Sequence, residues 1–159
     1  MRLAARPLFL ISLLALPLLG AAAEAQSITV EDARVRAVPP GSMTTAAFMT
    51  LTNPAETDRA LVGGASPLAG RLELHHHMKV DGVMRMRRVE ALPLPAGETV
   101  RLAPGGWHLM MFELAATPAE GERVALTLTL DNGETLTLEA PVRRVKPMAM
   151  DMSGDDQGH

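Results

Sequence analysis

Between Glu122 and Val142 the chain reads ERVALTLTLDNGETLTLEAPV. Leu126, Leu128 and Leu130 recur at every second position, and Leu136 with Leu138 resume the alternation after Asp131-Asn132-Gly133. Side chains with period two share one face of a β-strand, whereas a helix would scatter the same leucines around its circumference. Asp131-Asn132-Gly133 supplies positive-φ residues for the turn of a hairpin. The remaining chain follows the same pattern, with β-branched or leucine-rich runs near 27–37, 44–52, 59–63, 71–78, 83–90, 98–102, 107–113, 122–130 and 135–142. Pro39-Pro40-Gly41, Ala65-Ser66-Pro67 and Ala103-Pro104-Gly105-Gly106 break these runs and reverse the chain between them. So many short strands predict an all-β sandwich or small barrel.

Such a fold must be held by its core, because the 159 residues include no cysteine. The first residues, MRLAARPLFLISLLALPLL, carry Arg2 and Arg6 ahead of an apolar run that is short for a membrane span. They read as a secretory signal over 1–25, cleaved after Ala25 or, less favourably, after Ala23. The domain is then expected over 26–145, a length that sustains a core without disulfides. Removing Arg2, Arg6 and Glu24 from 15 basic and 18 acidic residues leaves 13 and 17, a net charge of about −4. That balance argues against nucleic acid as a partner. No later run is long enough to span a membrane, so the mature chain is expected to be soluble in the exported compartment, the periplasm; a monomer is expected. The last stretch, KPMAMDMSGDDQGH over 146–159, is expected to be a disordered tail.

Histidine and methionine are distributed unevenly. Three of the five histidines and three of the eleven methionines fall within LELHHHMKVDGVMRMRR, residues 72–88. Alternation sets Glu73, His75 and His77 on one face, and beyond the turn at Asp81-Gly82 it sets Met84 and Met86 on a common face opposite Arg85 and Arg87. A hairpin lets a histidine of the first strand meet a methionine of the second. In GGWHLMMFEL, residues 105–114, Trp107, Leu109 and Met111 form a core-like face, and His108, Met110 and Phe112 the opposite one. His108 and Met110 then lie about 7 Å apart at Cα, close enough to lean towards one ion. Met43, Met49 and Met111 are assigned to packing, as most methionines of a leucine-rich sandwich are. Arg85, Arg87 and Arg88 are assigned to a solvated face.

Two imidazoles with two thioethers make a soft, neutral donor set that suits Cu(I) better than Zn²⁺. Outside the cytoplasm a thiol pair tends to form a disulfide, and a thioether does not. The absence of cysteine excludes thiolate catalysis, Fe–S ligation and the blue-copper ligand set. A zinc hydrolase would call for carboxylates and an open water position, so a binding protein is favoured over an enzyme. The rival classes are a copper-dependent enzyme and a metal-free adhesive or assembly module.

Counting from His75, ten residues precede Met86, twenty-one more precede His108, and one separates His108 from Met110: H-x10-M-x21-H-x-M. With AAFMTLTN, DRALVGGASPLAG, LELH, DGVMRMRRVE and LPAGETVRLAPGGWHLMM in the same order, this resembles the PCuAC family of bacterial periplasmic copper chaperones over about residues 27–142. The resemblance implies a cupredoxin-like Greek-key β-barrel without the blue-copper cysteine. It implies Cu(I) held by His75, Met86, His108 and Met110. It also implies delivery towards the dinuclear copper centre of cytochrome c oxidase, with a Sco-type thiol protein or the oxidase's copper subunit as partner; copper storage or resistance is the alternative. His76, His77 and Met84 leave the ligand choice open. Met148, Met150, Met152 and His159 make the tail a candidate copper-gathering arm.

Overall fold

The computed structural model describes residues 27–145. Both the candidate signal segment and the Met/His tail lie outside this range. Ten strands make up the secondary structure of the described residues: β1 (Thr29–Arg36), β2 (Thr44–Thr52), β3 (Arg59–Ala65), β4 (Ala69–Val80), β5 (Val83–Arg88), β6 (Leu92–Leu94), β7 (Thr99–Leu102), β8 (Trp107–Leu114), β9 (Arg123–Leu130) and β10 (Thr135–Arg143). They run in the order β5-β4-β8-β7-β2-β1-β10-β9-β3-β6, with β8 also pairing β2. One layer is built from β1, β2, β4, β5, β7 and β8, and the other from β3, β6, β9 and β10. The parallel pair of β1 with β10, Val35 opposite Val142, joins the two layers. This is the all-β, cupredoxin-like barrel that the alternation and the resemblance predict.

The leucine hairpin shows why the layers stay together. Leu126, Leu128 and Leu130 are fully or almost fully buried, while Leu136 and Leu138 pack against the same core from β10. Each fully buried leucine contributes about 2 kcal/mol by leaving water. The turn differs in detail from the expectation. Only Gly133 takes a positive φ, 84°, and its N–H donates to the Leu130 carbonyl. Asp131 and Asn132 keep negative φ, because the loop closed by the Leu130 N–H donating to the Glu134 carbonyl holds three residues and needs one left-handed position, at its end. By contrast, Asp81 and Gly82 both have positive φ, 51° and 81°, as a two-residue turn between paired Val80 and Val83 requires.

Two further differences are instructive. The strand β6, Leu-Pro-Leu, is absent from the sequence pattern because an internal proline argues against a strand. It forms because it is an edge strand that pairs only β3, and Leu92 and Leu94 are both buried. Met43 is no core residue. It is 61% exposed, just ahead of β2, while Met49 and Met111 are buried as expected. Met43 lies outside any alternating run, so nothing in the strand pattern turns its side chain inward.

Candidate metal centre

Strand β8 carries the first half of the site. Leu109 and Met111 are fully buried in the core, and Trp107 packs against it. The alternate residues therefore face outward from the layer, where His108 and Met110 lie beside Ala46 and Phe48 of β2. His108 is nevertheless only 4% exposed, because neighbouring side chains cover it. The tight Ala103–Trp107 turn places the Gly106 carbonyl 3.0 Å from His108 Nδ1, which donates to it in the matching tautomer. The other ring nitrogen, Nε2, then presents its lone pair outward.

Strands β4 and β5 supply the second half. In the register of β4 with β8, His75 lies opposite His108 and Glu73 opposite Met110. In the register of β4 with β5, His77 lies opposite Met86 and His75 opposite Arg88. The hairpin thereby brings Met86 Sδ to 3.1 Å from His108 Nε2. That contact has chemical meaning. With Nδ1–H donating to Gly106, a nitrogen lone pair faces a sulfur lone pair; in the other tautomer, the Nδ1 lone pair faces a carbonyl oxygen. Protonation would relieve the conflict, but burial pushes the His108 imidazole below its ordinary pKa, outweighing the Gly106 hydrogen bond that raises it. A soft cation between nitrogen and sulfur resolves it without a proton.

His75 is 8% exposed, with its ring centre 5.9 Å from that of His108 on the same face. Its Nε2 donates to Glu73 Oε2 at 2.9 Å. Glu73 is held in turn by Arg71 at 3.1 Å, and Arg88 stands 3.9 Å away. The hydrogen bond from His75 is the main cause that holds the Glu73 carboxyl below its usual pKa, with Arg71 and Arg88 adding to it against burial. The Nδ1 atom of His75 is buried and has no hydrogen-bond partner. Sequence alternation already sets Glu73 on the face of His75, which is the one signal that could have singled it out as the carboxylate behind that ring.

A cavity of about 260 Å³ opens beside these groups, and His77, Met86, His108, Met110, Phe48 and Arg36 contribute to its wall. Of the four ligands that the resemblance implies, Met86, His108 and Met110 line it. His75 stands behind, and His77 takes its place on the wall. His76 points to the other face and stacks on Trp107, 4.1 Å between ring centres and 3° from parallel. Met84 is exposed opposite Lys79 and lies off the cavity wall. The arginines of β5 are exposed, though Arg88 shares the His75 side of the hairpin and approaches Glu73.

Comparison with known proteins agrees with this architecture. Residues 28–142 match the family described as "Putative lipoprotein LpqE-like". A relative from Leifsonia xyli subsp. xyli (strain CTCB07), "Putative lipoprotein Lxx21020", is 34% identical over 121 residues, 76% of this chain and 72% of its own. Among solved structures, the Cu(I) form of DR1885 from Deinococcus radiodurans shares 40% identity over 78% of this chain and 83% of its own, with a TM-score of 0.64. The copper-bound PCuAC domain of PmoF2 superposes with a TM-score of 0.64 over 76% of this chain and 96% of its own; at 23% identity it speaks for the fold alone. The chain belongs to the LpqE-like family and has the fold of the PCuAC domains.

Proposed function

We propose that this protein is an exported Cu(I) carrier that holds one ion through His75, Met86, His108 and Met110 and passes it to another copper protein. The observation that carries the reading is the contact of His108 Nε2 with Met86 Sδ at 3.1 Å, two lone-pair donors that a soft cation reconciles. The relative DR1885, at 40% identity, is described in a Cu(I) form, which supports the choice of metal. Three of the four donors line one cavity; His75, His108 and Met110 belong to strands anchored in the core, and Met86 is placed by the pairing of β5 with β4, so the donor geometry is set before the ion arrives.

A carrier must also release its ion. His108 and His75 are buried, but Met86 stands on an edge strand and is 45% exposed. An incoming donor can therefore displace the thioether of Met86 first, with the imidazoles still attached. This route needs no proton transfer at sulfur, because a thioether binds and leaves as a neutral group. For the recipient, we take the dinuclear copper centre of cytochrome c oxidase, reached directly or through a Sco-type thiol protein, and for the compartment the periplasm. The 159 residues contain no cysteine, so no thiol-linked lipid is attached within them.

The test is an anaerobic titration of metal-free protein with Cu(I) against a chromophoric chelator, followed by X-ray absorption of the loaded protein. One tight site with both sulfur and nitrogen scatterers is expected, and His108→Ala or Met110→Ala should weaken it by about a hundredfold or more. A protein that leaves all copper with the chelator, or an all-nitrogen shell, would reject the proposal.

A further inference from the structure

Three imidazoles face outward from the β4–β8 pair, and the carrier reading uses two of them. The third, His77, is better placed for the cavity than His75. It lies directly across from Met86, its ring centre is 5.2 Å from that of His108, and it shares the cavity wall with Met86, His108 and Met110. His75 is 5.9 Å from His108 and is tied back through Nε2 to Glu73. Among the described residues, the only buried side-chain nitrogen or oxygen atoms without a hydrogen-bond partner are Nδ1 of His75 and Nδ1 of His77. Buried polar atoms are normally paired, so two orphaned nitrogens two residues apart on one strand face mark a place where something else binds.

Imidazoles bound to one ion at about 2.0 Å have ring centres roughly 4.5–6 Å apart. Both pairings with His108 fall within that span. Yet no group of three or more His, Asp or Glu side chains among the described residues is arranged to hold a metal ion together. His75 and His77 thus do not converge with His108 on a common point.

The geometry points to His75 and His77 as alternate copper donors that share His108, Met86 and Met110, with His77 serving the cavity-side position and His75 the inner one. This rests on the Cu(I) carrier reading and adds to it a fifth donor and two positions for the ion. Moving between them is a ligand substitution: one copper–imidazole bond forms as the other breaks, both imidazoles stay neutral, and no electron is transferred. Copper can be accepted on the cavity side and held deeper without leaving the chain.

The experiment measures Cu(I) affinity anaerobically, by competition with bathocuproine disulfonate, for the full chain and for His75→Ala, His77→Ala and the double variant. Circular dichroism and the fluorescence of Trp107 serve as folding controls, and glutamine variants stand in for any alanine variant that misfolds. Interchangeable donors predict that each single change weakens binding by no more than about tenfold, while the double change costs about a thousandfold, far beyond the product of the singles. X-ray absorption of both single variants should still show sulfur with nitrogen. If His75→Ala alone equals the double variant and His77→Ala equals wild type, or the reverse, one imidazole is the sole donor and the alternation is wrong. If wild-type protein takes no Cu(I) from the chelator, the carrier reading itself fails, which is a different result.

Discussion

At the scale of single residues the site is a set of unsatisfied acceptors. His108 shows it best, with one ring nitrogen engaged by the Gly106 carbonyl and the other set against the sulfur of Met86. Its lowered pKa has a consequence for the metal-free protein. A histidine whose folded pKa lies below its unfolded value of about 6.5 binds fewer protons folded than unfolded, so stability is undiminished above that value and falls as pH drops through it. The denaturation midpoint of the metal-free protein in urea should therefore fall between pH 7.5 and 5.5, and His108→Phe should remove part of that slope; an equal slope in the variant would contradict this. Glu73 acts in a separate window. Its depressed carboxyl pKa contributes stability above about 4.5, and that contribution is lost as pH falls further. Alternation alone put His108 and Met110 on one face and Trp107, Leu109 and Met111 on the other. It could not separate His75 from His77, which share a face. That distinction comes from the β4–β5 register and from the carboxylate of Glu73, both products of tertiary pairing.

Among the elements, the two hairpins divide the labour. The β4–β5 hairpin positions the proposed donors, and the β9–β10 hairpin closes the core from the other layer. Changes in the second should cost stability and spare the site. Leu128→Ala leaves a cavity and should lower unfolding free energy by about 3 kcal/mol. Gly133→Ala forces a Cβ into the left-handed region and should cost about 1 kcal/mol. Urea unfolding of the metal-free variants checks both, and a Cu(I) affinity changed by more than about threefold would deny that the layers act separately. The strands were legible where apolar residues alternate, because packing on one face imposes that period. Leu92-Pro93-Leu94 escaped, since proline's missing donor matters only when both strand edges are paired and β6 has one edge open. Met43 escaped in the opposite direction: a large apolar residue outside a strand carries no signal of which way it points.

On the scale of the molecule, charge and connectivity set what the site can meet. The chain carries 15 basic and 18 acidic residues, yet among the described residues Arg36 is the only one of these on the cavity wall. Its neighbour in the next strand is Arg143, paired with it in parallel, two residues ahead of Val145. Residues 146–159, which follow, contain Met148, Met150, Met152 and His159. Deleting residues 147–159 should lower copper stoichiometry and leave the affinity of the main site unchanged; undiminished stoichiometry would deny the segment a part in gathering metal. The parallel pairing of β1 with β10 bears on assembly as well. Val35 and Val142 stand near opposite ends of the domain, so the join between the layers is a contact of high sequence separation, which forms slowly. A chain that leaves the ribosome N-terminus first cannot make that join until its last strand has arrived, and β1 must wait meanwhile with one edge bare.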